Sequence, residues 1–293
     1  MSPEVIPFYE PESCTWTYLL SEHDGKEAAI IDPVWVFDPV SGLADTGFTD
    51  LVLATAADSG RAITWVLETH AHADHLSSAA YIREQTGARV AIGQGICAVQ
   101  ETFARVLNLD DVTPDGSQFD RLLSEGDTLA VGGLEIRVME TPGHTSDSVT
   151  YLVADAAFVG DTLFAPGYGT ARCDFPGGDA GRLYDSITRL HALPDATRLF
   201  LCHDYPAEGQ EPLNMVTVAD SRAHNVHLQE GVDREAYVAM RTGRDAGLAL
   251  PRLIYPSLQV NIRGGAAPPP DRNGAAYLRL PFDRSLKSLL ESD

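Results

Sequence analysis

Lysine is almost missing from this 293-residue chain: Lys26 and Lys287 are the only two, so its positive charge is nearly all arginine. Lysine and arginine together number 21 against 42 aspartates and glutamates, a formal net charge of −21. A surface of that sign repels phosphate backbones and anionic lipid, which argues against nucleic acid and membranes as partners. No apolar run approaches the ~20 residues that a bilayer span needs. The opening Met1-Ser2-Pro3-Glu4 has no basic stretch followed by an apolar one, so no secretory leader is expected. Cysteine is also scarce. Cys14, Cys97, Cys173 and Cys202 form no CxxC pair and read as free thiols of a reducing, cytoplasmic compartment.

What is present is globular. The hydrophobic fraction is 44% and the charged fraction 22%, which excludes disorder, collagen and coiled coil as the main state. A chain of this length buries a large core without a disulfide scaffold. Its length admits two domains or one large α/β domain. The only biased stretch is the Gly/Ala/Pro loop from Gly264 to Pro270.

Short β-prone runs dominate the first two thirds: Thr15 to Leu20, Ala28 to Asp32, Ile63 to Thr69, Arg89 to Ile92, Leu134 to Glu140, Ser148 to Val153, Ala157 to Gly160 and Arg198 to Cys202. Leu76 to Gln85 has helical character and closes at Gly87, and Ala180 to Leu193 reads as a helix stopped by Pro194. Beyond residue 212 the pattern weakens into helix and loop. The expected strand ends carry Thr69-His70, Gly160-Asp161 and Cys202-His203. Polar residues at the ends of buried strands are where α/β folds build sites.

Three of the nine histidines lie in His70-Ala71-His72-Ala73-Asp74-His75, directly after an apolar strand. Metal ligation is the economical reason to crowd three imidazoles and a carboxylate into six residues. In an extended loop His70 and His72 point to one side, and Asp74 and His75 are expected to open the next helix. Three isolated pieces follow in order: Pro142-Gly143-His144-Thr145, Gly160-Asp161-Thr162-Leu163-Phe164, and Cys202-His203-Asp204-Tyr205.

This series of motifs resembles the metallo-β-lactamase superfamily over about residues 12–210. The resemblance implies an α/β fold, a four-layer αββα sandwich of two similar halves with its metal site at one sheet edge. One domain over 1–293 is expected, with a helix and loop extension over about 211–293. All seven positions of a dinuclear site are present: His70, His72, His144 and Asp161 on one side, Asp74, His75 and His203 on the other.

Downstream, Gly169-Thr170-Ala171-Arg172-Cys173-Asp174-Phe175 is similar to the GRTDF-like segment of the persulfide dioxygenase branch. Leu183 to Ile187, His203-Asp204-Tyr205 and Asn261-Ile262-Arg263-Gly264-Gly265 resemble the same branch. The loops Ala165–Phe175 and Val34–Ala62 are longer than in the short animal-type enzymes, which leaves the preferred thiol open. No rhodanese domain is expected from the sequence. The resemblance implies one Fe(II) on His70, His144 and Asp161. It also implies oxidation of glutathione persulfide, or a similar low-molecular-weight persulfide, by O2 to sulfite and thiol. His72, Asp74, His75 and His203 would then orient the ligands and hold waters. Arg172 is the expected carboxylate clamp, unless it pairs with Asp174 or Asp179, and Tyr205 the expected hydrogen-bond donor. Asn261 and Arg263 line the pocket or pin the C-terminal segment. Cys173 is expected to be an inert neighbour. A homodimer is implied only by analogy. The alternative is a glyoxalase II-like thioester hydrolase with two Zn ions, although that family's basic C-terminal domain has no counterpart in a chain with one lysine beyond residue 26.

Overall fold

The computed structural model describes residues 3–229 and 231–291; Met1, Ser2, Glu230, Ser292 and Asp293 lie outside the described residues. Two six-stranded mixed sheets form its centre. The first runs in the order Glu4–Glu10, Thr15–Ser21, Glu27–Ile31, Ala62–Leu67, Arg89–Gly93, Arg121–Leu123. The second runs Thr128–Val131, Leu134–Glu140, Val149–Val153, Ala156–Phe158, Arg198–Phe200, Met215–Thr217.

Strand alternation explains why the sheets stack. Tyr18, Leu20, Ile31, Trp65 and Leu67 face Ile136, Val138, Tyr151, Phe158 and Phe200 in one apolar cluster between the sheets. Their sequence neighbours Leu19, Ile30 and Val66 point the other way, into a cluster with Ile82 and Phe103 from helices Ala79–Thr86 and Ile96–Leu107. The outer face of the second sheet is covered by Leu183, Ile187 and Leu190 of helix Ala180–His191, with Tyr237 of helix Arg234–Asp245. A period of two, buried on both faces, gives four layers: helix, sheet, sheet, helix. The expected αββα sandwich is present. Among the described residues no helix is long and apolar enough to cross a membrane.

Most expected elements agree to within about two residues, but helix Ile96–Leu107 and strands Arg121–Leu123, Thr128–Val131 and Met215–Thr217 have no counterpart in the sequence reading, and further differences follow. The helix expected from Leu76 starts at Ala79, because Leu76–Ser77 instead pairs with Val34–Trp35 as a short strand. Asp74 and His75 therefore sit in the loop before that strand and do not open a helix. The long segment after Val34 is ordered: it folds into strands Val34–Asp38 and Leu43–Asp45 and helix Gly47–Asp58. Strand Glu4–Glu10 went unread because it is a half-buried edge strand interrupted by Pro7.

The motifs fall at one end of the two sheets. His70 follows strand Ala62–Leu67, His144 follows Leu134–Glu140, Asp161 follows Ala156–Phe158 and His203 follows Arg198–Phe200. Two links tie the sheets together there: Trp16 N–H donates to the Cys202 carbonyl at 2.7 Å, and Val149 N–H to the Thr69 carbonyl at 2.9 Å.

Candidate metal centre

The loop 69–77 leaves the sheet with backbone groups that no strand satisfies, and three buried side chains take them up. Asp32 accepts from Thr69 N–H at 2.7 Å and from its hydroxyl at 2.9 Å. Asp147 accepts from Ala71 N–H at 2.7 Å. The Asn261 amide donates to the carbonyls of His72 and His75 at 2.8 and 2.9 Å, and its oxygen accepts from Ser77 N–H at 2.7 Å. On the opposite wall Gly160 has φ +52°, and a Cβ there would meet Thr69 Oγ1 at 2.5 Å. Only glycine lets the chain turn that close to the loop and present Asp161.

Held this way, the seven expected ligand residues converge. His70, His72, His75 and His203 are each no more than 1% exposed. Their Nε2 atoms are buried with no hydrogen-bond partner among the described residues, as is Asp161 Oδ1. Buried polar atoms are normally paired, so five orphaned acceptors gathered in one cluster of ligand residues fit bound cations. Their chemistry fits too: imidazole nitrogen and carboxylate oxygen suit zinc or iron.

The seven do not form one even ring. His70, His144 and Asp161 offer ligand atoms within 4.8 Å of one another, and His72, Asp74, His75 and His203 form a second such group. Asp161 Oδ2 lies 3.6 Å from His144 Nε2 and 3.9 Å from His70 Nε2, and its Oδ1 lies 3.3 Å from His203 Nε2, so it stands between the groups. His72 Nε2 lies 3.2 Å from Asp32 Oδ1.

Electrostatics favour the ligand forms. Burial, then neighbouring imidazoles, hold His70 and His72 well below the ordinary histidine range, so both are neutral. Burial opposes charge on Asp74, but His203 and His75 outweigh it and hold the carboxyl well below its usual range. For His203 burial is likewise outweighed, here by Asp161 and Asp74, which push the imidazole above its ordinary value.

The residues expected to touch substrate fare differently. Arg172 borders a cleft of about 430 Å³ over the centre, but its fork is taken. Nε and Nη2 donate to the two Asp174 oxygens at 2.6 and 2.7 Å, and Nη1 donates to the Ala249 carbonyl at 2.7 Å. Its backbone matters more: His144 Nδ1 donates to the Arg172 carbonyl at 2.7 Å, which turns Nε2 toward the centre. Tyr205 lines the cleft, half exposed, with its ring stacked 6.1 Å from that of His203. Asn261 and Arg263 depart from a pocket role. Asn261 is spent on the loop backbone. Arg263 pairs with Asp111 at 2.8 and 2.9 Å and with the Gln259 carbonyl, outside the cleft. Cys173 is buried, and burial pushes its thiol up to about 12, so it stays protonated.

Other contributors carried no motif. Arg241 pairs with Asp245 at 2.9 Å and donates to the Thr170 carbonyl at 3.0 Å, while Asp245 accepts from Cys173 N–H at 2.8 Å. His227 Nδ1 accepts from Thr170 N–H at 3.0 Å. Asp32 sits at φ +49°, and only the turn it makes after a buried strand hints at its role.

Residues 12–203 match the metallo-beta-lactamase superfamily model. A probable metallo-hydrolase of Burkholderia pseudomallei is 50% identical over 94% of this chain and 98% of its own length. A Dictyostelium discoideum protein named glyoxylase B2 is 41% identical over 96% of both chains. Mouse mitochondrial persulfide dioxygenase ETHE1 is 29% identical over 89% of both. Among solved structures, ETHE1 from Myxococcus xanthus superposes with a TM-score of 0.72 at 31% identity, covering 90% of this chain and 100% of that one. With this fold and this buried histidine and aspartate cluster, the chain belongs to the metallo-beta-lactamase superfamily.

Proposed function

We propose that the chain is a mononuclear non-haem iron(II) persulfide dioxygenase. The observation that carries the reading is the compact His70, His144 and Asp161 group, whose Asp161 also falls in a group with His72, Cys202 and His203. His70, His144 and Asp161 group as two histidines and one carboxylate, the facial set of iron oxygenases, which leaves three positions open. The likeness to the mouse persulfide dioxygenase and to the Myxococcus ETHE1 structure supports the same reading. Bound iron(II) would supply redox chemistry toward O2 and a position for the terminal sulfur of the substrate. One persulfide, one O2 and one water give one thiol, one sulfite and two protons.

The chain's own part is orientation and exclusion of water. The Arg172 carbonyl fixes the His144 tautomer, and Thr69 Oγ1, 3.1 Å from His70 Nδ1, does the same for His70. Phe164, Phe175 and Leu248 line the cleft and keep its approach apolar. His72, Asp74, His75 and His203 hold waters and the charge balance beside the triad.

One observation favours a second reading. Those last four residues are themselves a complete ligand group, as a two-zinc thioester hydrolase requires, and the Burkholderia and Dictyostelium relatives carry hydrolase and glyoxylase names. Metal analysis of fresh protein with O2 uptake on glutathione persulfide separates the two. The dioxygenase reading expects about one iron per chain and uptake of O2. Two zinc per chain, with thioester hydrolysis that persists without O2, overturns it.

A further inference from the structure

The cleft over the metal centre is graded from floor to mouth. Its floor is His144 and Asp161, both buried, with the Asp74 carboxylate beside them, and its walls combine Phe164, Phe175 and Leu248 with polar Thr170 and His227. Three arginines border it: Arg172, Arg241 and Arg244. Two are committed. Arg172 is held by both Asp174 oxygens and the Ala249 carbonyl, and Arg241 by Asp245 and the Thr170 carbonyl. Arg244 is exposed, and its guanidinium makes no ion pair or hydrogen bond among the described residues. In a chain of net charge −21, whose field repels anions, an uncommitted arginine at the mouth of the cleft is the group that offsets the repulsion locally.

We propose that Arg244 is the anion-recognition residue of this cleft, and that the ligand carries a carboxylate at the end remote from its sulfur. The identity of the buried, sulfur-bearing end rests on the persulfide reading; the carboxylate contact does not. A planar fork with all its donors free suits bidentate capture of a carboxylate. Arg172, which the sequence suggests for this task, has given that fork to Asp174. His227 stands beside the same contact. Its Nδ1 takes the Thr170 N–H, so its proton sits on Nε2, and the ring borders the cleft as a neutral donor. Arg244 and His227 border the same cleft, and burial, then Arg241 and Arg244, hold this imidazole down at about 4. The class of ligand is therefore a small thiol derivative with an anionic tail, rather than a neutral alkyl persulfide.

The test is calorimetric titration of the metal-loaded protein with S-methylglutathione, which keeps both carboxylates and has no free thiol, and with its dimethyl ester. Wild type is expected to bind the acid about tenfold more tightly than the ester. Arg244→Ala is expected to lose that difference by weakening the acid alone, and Arg244→Lys to restore part of it. Unfolding temperatures measured alongside are expected to match, since the residue is exposed and unpaired. Equal binding of acid and ester by wild type, an Arg244→Ala protein that binds the acid as well as wild type, or no binding of the acid by wild type each overturns the proposal. If the acid preference depends on Arg244 but no O2 is consumed with glutathione persulfide, the anion site stands and the dioxygenase reading falls.

Discussion

The two ligand groups at the centre differ in what stands behind them. In the triad, His144 and His70 each have the far ring nitrogen tied, to the Arg172 carbonyl and to Thr69 Oγ1. Asp161 is set by the glycine turn before it. In the other group His203 Nδ1 is tied to the Cys14 carbonyl at 3.2 Å, His203 and His75 share the Thr15 hydroxyl at 3.2 and 3.4 Å, and His72 alone has neither ring nitrogen in a hydrogen bond. Anchored ligands meet a cation without paying to be oriented, whereas loosely held ones lose that advantage. Ligand identity alone would suggest two equal metal positions. The supporting shell makes them unequal, and on the proposed reading it would favour the triad as the position of a first metal.

The largest effect should come from breaking the anchored side. His144→Ala is expected to abolish iron binding and O2 uptake, measured by metal analysis after desalting, while His72→Ala keeps close to one iron per chain. Equal loss in both variants would erase the distinction between the groups and favour a shared two-metal site.

The shell that makes this difference was the least legible part of the sequence. The ligands announce themselves, because three imidazoles and a carboxylate in six residues have few uses other than metal. Their supports are single residues spent on backbone atoms far along the chain. Asp147 reaches an amide 76 residues away, and Asp245 reaches an amide 72 residues away. No periodicity or spacing marks such a residue, because its partner is main chain and carries no sequence signal. The strands were readable for the opposite reason: their pattern is local and repeats every two residues. Asp74 and His75 were misplaced onto a helix because the strand that displaces it, Leu76–Ser77, exists only through pairing with Val34–Trp35.

Next in size is the support behind the loop of the second group. Asn261→Ala strands the His72 and His75 carbonyls and the Ser77 amide in a buried position. A loss of about 3 kcal/mol in denaturant unfolding is expected, with metal affinity weakened for every ligand in the loop. Full stability would show that water replaces the amide. Arg172→Ala should be milder and one-sided. It frees the segment whose carbonyl holds His144, so about a tenfold drop in iron affinity is expected, with His72 and its group untouched. A raised KM with unchanged iron affinity would instead return Arg172 to the role of substrate clamp.

The smallest effect tests whether the outer helix layer titrates independently of the centre. His191 closes helix Ala180–His191, with Nε2 3.0 Å from Ser221 Oγ. Burial, then the Arg222 charge, bring its imidazole down to about 4, against an ordinary value near 6.5. Between those values the unfolded chain binds a proton that the folded chain refuses, so this group's contribution is present above pH ~6.5 and is lost as pH falls toward about 4. Groups at the centre titrate in the same window with other signs; burial brings Asp32 up to about 6, for example. The informative quantity is therefore the difference between wild type and His191→Gln, which keeps a donor toward Ser221 and cannot charge. The two unfolding temperatures should differ by a constant amount above pH 7 and shift in the variant's favour by a few degrees as pH falls to 4.5. Parallel curves would mean that His191 is protonated in the folded helix layer, with the Arg222 charge screened by solvent. The same shift in an Arg222→Gln background should be smaller, because one of the two causes has been removed.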